Sequence, residues 1–217
     1  MRSSISKLPP NFVKAESFDL SSNQILRIAL IGLSLVLLTP TTWLAVGTVR
    51  WLRPALAENL SQFIERPDAG GFVLTIPVDW LLGLLVGLVA TIPLHELIHG
   101  FFFWLFTGKS PRYGFTLLYA YAAPPPQTYV CRNPYLVITA APLILITLMT
   151  LIGIMLAPAF LVPTFVLVFV LNTVGSVGDV SVIFWLMGKP SSVYVEDVGD
   201  RMVVYAAHCS DNDSLKH

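Results

Sequence analysis

Four long apolar stretches constrain this chain more than any other feature. They run from Ile25 to Val49, from Trp80 to Phe106, from Tyr135 to Ala157 and from Phe160 to Met187. Each reaches the ~20 residues that a helix needs to cross a hydrocarbon core of about 30 Å. Their apolar residues are continuous rather than alternating, so they read as helices and not as strands of a barrel. Charge agrees with this reading. Only 12% of the 217 residues are charged, about half of the roughly 25% of a soluble domain. Disorder is excluded by the supply of apolar side chains. Nucleic-acid binding is excluded by the balance of 13 basic and 13 acidic residues, which leaves no excess to neutralise phosphates. The sequence predicts an all-α integral membrane protein with about four transmembrane helices. An N-terminal segment 1–24, a transmembrane domain 25–190 and a tail 191–217 follow from the boundaries of these stretches.

The connecting segments add detail. Leu56, Leu60, Phe63 and Ile64 recur at helical spacing and predict a short interfacial helix. Asp79 is placed to cap the second long helix. In the tail, Val193-Tyr194-Val195 and Met202 to Tyr205 flank a polar turn, Glu196 to Arg201, and predict a small C-terminal β-hairpin. Met1 to Ser22 lacks the apolar core of a signal peptide, so the first apolar stretch is expected to remain as an anchor. Cys131 and Cys209 have neither metal-ligand spacing nor a disulfide framework, and are expected as free thiols on the reducing side.

Lysine and arginine set the orientation. Arg50, Arg53 and Arg66 fall between the first two apolar stretches. The other ten fall before or at the start of the first stretch (Arg27), between the second and third stretches, or after the fourth. An even number of spans leaves both termini on one side, and the ten cations make that side the cytoplasm.

The second apolar stretch contains His95-Glu96-Leu97-Ile98-His99-Gly100, an H-E-x-x-H motif. Histidines at i and i+4 share one helix face, so both imidazoles can bind one Zn²⁺ at about 2.0–2.1 Å. Glu96 sits where its carboxylate can act on a water as a general base. A glutamate paired with a protonated histidine is the structural alternative. Yet a charged group at the centre of a membrane helix costs at least about 2.5–3.5 kcal/mol. Three ionisable groups in five residues at that depth therefore demand a function.

Catalytic zinc usually takes three protein ligands. Between Glu96 and Glu196 the chain has one acidic residue, Asp179, in the fourth apolar stretch, which makes it the third ligand. Depth is consistent: His99 precedes Lys109 by ten residues, and Asp179 precedes Lys189 by ten. At ~1.5 Å per residue both groups lie about 15 Å from the cytoplasmic boundary. Asn172, Ser176 and Asp179 share a helix face, with Gly175 and Gly178 beside it. Asn172 reads either as a transition-state or substrate contact or as an interhelical hydrogen bond. Pro93 can kink the helix just before His95. Tyr113 to Tyr121 reads as an interfacial aromatic belt, with an edge for an extended substrate as the alternative.

These motifs resemble those of the small bacterial membrane proteins known as putative zincin peptidases, which look related to the site-2 protease group. The matching pieces are His95 to Gly100, Asn172 with Gly175 to Asp179, and Glu196-Asp197-Val198-Gly199-Asp200, over roughly Pro77 to Tyr205. The resemblance implies Zn²⁺ held by His95, His99 and Asp179. It also implies Glu96 as general base, Asn172 near the developing oxyanion, and a membrane-anchored protein or peptide as substrate in the bacterial cell membrane. The chain departs from site-2 proteases in lacking an inserted PDZ-like domain and in having Val180, not glycine, after Asp179. The alternative is a non-proteolytic membrane metal-binding protein or ion carrier. Thr139, Thr147 and Thr150 are the only such polar groups in the third stretch, which is little for an ion path.

Overall fold

The computed structural model describes residues 4–19, 22–59, 64–65, 73–115, 120–199 and 201–207. Among the described residues, six α-helices occupy the apolar stretches and their borders: α1 (Gln24–Leu52), α2 (Pro54–Asn59), α3 (Val78–Thr107), α4 (Arg132–Leu156), α5 (Val162–Gly175) and α6 (Val177–Met187). Helices α1, α3 and α4 are each long and apolar enough to cross a membrane, and counting α5 with α6 as one broken span makes four. Leu35, Val36 and Trp43 on α1, and Leu85, Val86 and Val89 on α3, stand exposed. Such broad apolar faces suit lipid rather than water.

Local chemistry sets the helix ends. Asn23 Oδ1 accepts the Leu26 N–H at 2.9 Å and starts α1. Arg53 donates to the Ala157 carbonyl at 2.5 Å, just past the end of α4. Asp79 lies inside the first turn of α3 rather than before it. It therefore favours the positive helix end as a charge and is not the expected cap. The fourth apolar stretch was expected as one helix but breaks at Ser176. The Ser176 N–H and hydroxyl both donate to the Asn172 carbonyl, at 2.9 and 2.7 Å. With Gly175 and Gly178 alongside, the local cost of leaving the helical path is small.

Contacts divide the chain into two units, one of residues 30–95 and 142–177, the other of 1–29, 96–141 and 178–217. The first is mostly helical. Ala45 packs with Phe169 and Val170, and Val49 with Ile154 and Val162, the latter group covered by Leu56. Gly83 and Gly87 lie against Thr164 of α5, where a Cβ at Gly87 would come within 3.1 Å of Thr164 Cγ2. Small residues four apart let two membrane helices approach. The expected interfacial helix is only α2. Ile64 lies instead in β3 (Ile64–Glu65), paired antiparallel with β4 (Val73–Leu74), while Leu60, Phe63 and Cys209 fall outside the described residues.

The second unit overturns the all-α expectation. It holds a five-stranded antiparallel sheet made of β1 (Ser4–Ile5), β2 (Phe12–Asp19), β7 (Tyr129–Cys131), β8 (Tyr194–Asp197) and β9 (Arg201–Ala207), in the order β1-β7-β8-β9-β2. The expected hairpin exists as β8–β9, but it forms part of this sheet rather than standing alone. The N-terminal segment pairs with the tail from Phe12↔Ala207 to Asp19↔Arg201, with a register shift between Lys14 and Glu16. Val130, Val195 and Val204 turn inward onto Phe103, Tyr135, Ile138, Val182 and Leu186. Burial of each such side chain contributes about 1.5–3 kcal/mol. A separate ribbon, β5 (Arg112–Phe115) with β6 (Ala120–Ala123), fills the aromatic loop.

Candidate metal centre

Helix α3 is continuous from Val78 to Thr107, through Pro93. His95 and His99 therefore stand one turn apart on one face. Asp179 comes from the first turn of α6. The break at Ser176 places its carboxylate at a helix N-terminus, where the exposed amides favour negative charge. One ligand atom from each of His95, His99 and Asp179 lies within 4.8 Å of the other two. Ligand atoms around a tetrahedral zinc at 2.0–2.2 Å stand roughly 3.3–3.6 Å apart. His99 Nε2 and Asp179 Oδ2, at 3.3 Å, already have that separation.

The far side of each imidazole is fixed. His99 is buried, and its Nδ1 lies 3.0 Å from the Ile138 carbonyl. A carbonyl can only accept, so Nδ1 carries the proton and Nε2 is the atom that could bind a metal. His95 Nδ1 lies 3.0 Å from Asn172 Oδ1. Asn172 is 1% exposed, and its Nδ2 points at the Pro142 carbonyl at 3.5 Å. That contact turns the amide oxygen toward His95, so that Nε2 is again the atom that could bind a metal. Two oriented imidazoles and one carboxylate form a donor set suited to zinc.

Glu96 follows His95 on α3 and is half-buried. Its charge is felt by both His99 and Asp197. Gly100 closes the motif against Tyr113 of β5, whose ring occupies the space a Cβ would need. Gly100→Ala should therefore lower stability by about 1–3 kcal/mol, the usual cost of overpacking, and displace Tyr113. Thermal unfolding reads the first effect, and Gly100→Ala combined with Tyr113→Ala, which should recover most of the loss, reads the second.

Residues outside the motif also reach this region. Tyr135, in the first turn of α4, donates to Asp197 Oδ2 at 2.6 Å. The Gly199 N–H donates to Asp197 Oδ1 at 2.7 Å. Burial pushes the Asp197 carboxyl up to about 6, against the lowering effect of those two donors and of His99. Sequence reading placed Asp197 in a polar turn, whereas the structure puts it on the inward face of β8 two residues after Val195. That i, i+2 relation was the available signal. The Ile138 carbonyl carried none, because it is backbone. In the same unit, Glu16 of β2 accepts from Trp185 Nε1 at 3.0 Å and pairs with Lys189, and these contacts hold its carboxyl below the ordinary range. The N-terminal strand is thereby tied to the far end of the helix that begins near Asp179.

No curated protein and no solved structure matches the chain. The expected likeness to site-2 proteases is therefore not shown. Residues 88–194, which carry His95, Glu96, His99, Asn172 and Asp179, match the model of the putative zincin peptidase family, DUF3267.

Proposed function

We propose that this chain is a membrane-embedded zinc metallopeptidase that hydrolyses peptide bonds of membrane-associated proteins or peptides. The observation that carries the reading is the convergence of His95, His99 and Asp179, with the Nδ1 of both histidines already engaged by oxygen. A purely structural pair of histidines has no need to present two oriented Nε2 atoms beside a carboxylate. Bound Zn²⁺ supplies Lewis acidity toward a scissile carbonyl and a lowered pKa for a water.

The chain's own groups do the rest. His95, His99 and Asp179 hold the ion. Glu96 takes a proton at its carboxylate from the attacking water and passes it to the leaving amine. Asn172 orients His95 through its amide oxygen. Its Nδ2, at 3.5 Å from the Pro142 carbonyl, is weakly engaged and is the group it would offer to a developing oxyanion. Their setting in apolar helices lowers the local dielectric, which strengthens each of these charge interactions.

The sheet supports the orientation. It joins strands from the N-terminal segment, from the loop between α3 and α4, and from the tail. A sheet with open edges does not thread a bilayer, so all three segments share one side. With the helix ends that adjoin them, they carry the ten cations that mark the cytoplasm. We place both termini there, in a bacterial cell membrane.

The test is cleavage of a membrane-anchored reporter by the purified protein. Chelation should stop it, and added zinc should restore it. Cleavage unaffected by chelation would refute the zinc reading. Bound zinc without any cleavage would favour the non-proteolytic metal-binding alternative.

A further inference from the structure

Helix α4 carries a proline in mid-span, Pro142. Proline has no N–H, so the carbonyl four residues earlier loses its helical donor. That carbonyl belongs to Ile138, the group to which His99 Nδ1–H donates at 3.0 Å. An ordinary residue at 142 would offer its own N–H to the same oxygen. The proline leaves that oxygen for the histidine.

The same stretch of α4 is anchored on its other side. Tyr135 lies three residues before Ile138 and donates to Asp197 of β8 at 2.6 Å. Asp197 is 6% exposed, and its second oxygen is engaged by the Gly199 amide, so the carboxylate is held at both ends. The Tyr135 ring packs edge-on against Phe103, at 6.0 Å between centroids, and Phe103 lies one turn beyond His99 on α3. His99 lies within electrostatic reach of Asp197, and Asp179 within reach of Tyr135.

We infer that Pro142 and the Tyr135–Asp197 pair are positioning residues for the metal centre, which together present the Ile138 carbonyl to His99 and so fix its Nε2 as a ligand atom. The inference rests on the zinc reading above and extends it to residues outside the motif. A carbonyl that orients a ligating histidine acts on metal affinity and not only on folding. Prolines are also tolerated in membrane helices for other reasons, and a buried Tyr–Asp bond can simply hold a sheet in place. Affinity separates these possibilities from a positioning role.

The experiment is competition with a zinc chelator, using the purified full chain in detergent. The variants are Pro142→Ala and Tyr135→Phe, with Val195→Ala as control. Pro142→Ala adds a hydrogen-bond donor to α4 and opens no large cavity. It should remain folded while binding zinc about 10-fold more weakly, the lower end of the effect of losing an outer-shell partner. Tyr135→Phe removes one hydroxyl and should show a similar loss. Val195→Ala disturbs the same buried strand beside Asp197. It should lower thermal stability and leave zinc affinity unchanged. Wild-type affinity in folded Pro142→Ala and Tyr135→Phe would overturn the inference, as would an equal loss in Val195→Ala. If Tyr135→Phe does not fold, Pro142→Ala decides alone. A wild-type protein that binds no zinc would overturn the function itself, and this inference with it; zinc bound by the wild type keeps the two failures distinct.

Discussion

Glu96→Gln should retain about one zinc per chain and lose cleavage of a membrane-anchored reporter by about 10²–10⁴-fold, the range a positioned general base contributes. The substitution keeps shape and polarity but removes the atom that takes the proton. Glu96 does not belong to the group whose ligand atoms converge, which is His95, His99 and Asp179. It follows His95 on α3 and acts on His99 through charge. Its loss should therefore leave the ion in place. Zinc analysis and reporter cleavage on one preparation measure both halves. A zinc-free Glu96→Gln would make Glu96 a ligand instead, and an active one would remove it from the chemistry.

Asp179→Ala should have the opposite signature, with metal lost first and activity lost as a consequence. Zinc affinity should fall by more than about 100-fold, beyond the 10–100-fold typical of an outer-shell partner. The fold should survive. Removing an acid from the first turn of α6 costs only about 0.3–1 kcal/mol in helix-dipole energy. Asp179 is also partly accessible, with a side chain 23% exposed, so no large cavity opens. Chelator competition with circular dichroism distinguishes metal loss from unfolding.

The helices and the three groups that converge, His95, His99 and Asp179, were legible in the sequence for the same reason. Apolar runs declare a membrane span by length alone. Against that background His95, Glu96, His99, Asn172 and Asp179 stand out as groups that hydrocarbon does not tolerate without a purpose. The sheet was less legible. Strands β8 and β9 showed as β-branched runs, but β2, Phe-Val-Lys-Ala-Glu-Ser-Phe-Asp, has a weak apolar alternation and mostly exposed side chains. Its strand character comes from pairing with β9, from Phe12↔Ala207 onward, and no local pattern contains a partner so distant. The break at Ser176 was hidden because glycine and serine are ordinary in membrane helices. The break shows in the Ser176 backbone, which leaves the helical path at φ −75°, ψ 4° while its hydroxyl shares the Asn172 carbonyl with its own N–H. Asp197 was masked by its neighbours, since an acid beside Val198 and Gly199 looks like turn chemistry until β8 is known to point it inward. The orientation of His99 could not be read at all, because its partner is the backbone oxygen of Ile138.

The central claim is that two imidazoles and one carboxylate of this chain hold a single zinc ion. X-ray absorption at the zinc edge of the purified protein tests it directly. The account predicts two imidazole nitrogens at about 2.0–2.1 Å, the remaining ligands oxygen at about 2.0–2.2 Å, and no sulfur. Sulfur at about 2.3 Å, or scattering from fewer than two imidazoles, would contradict it.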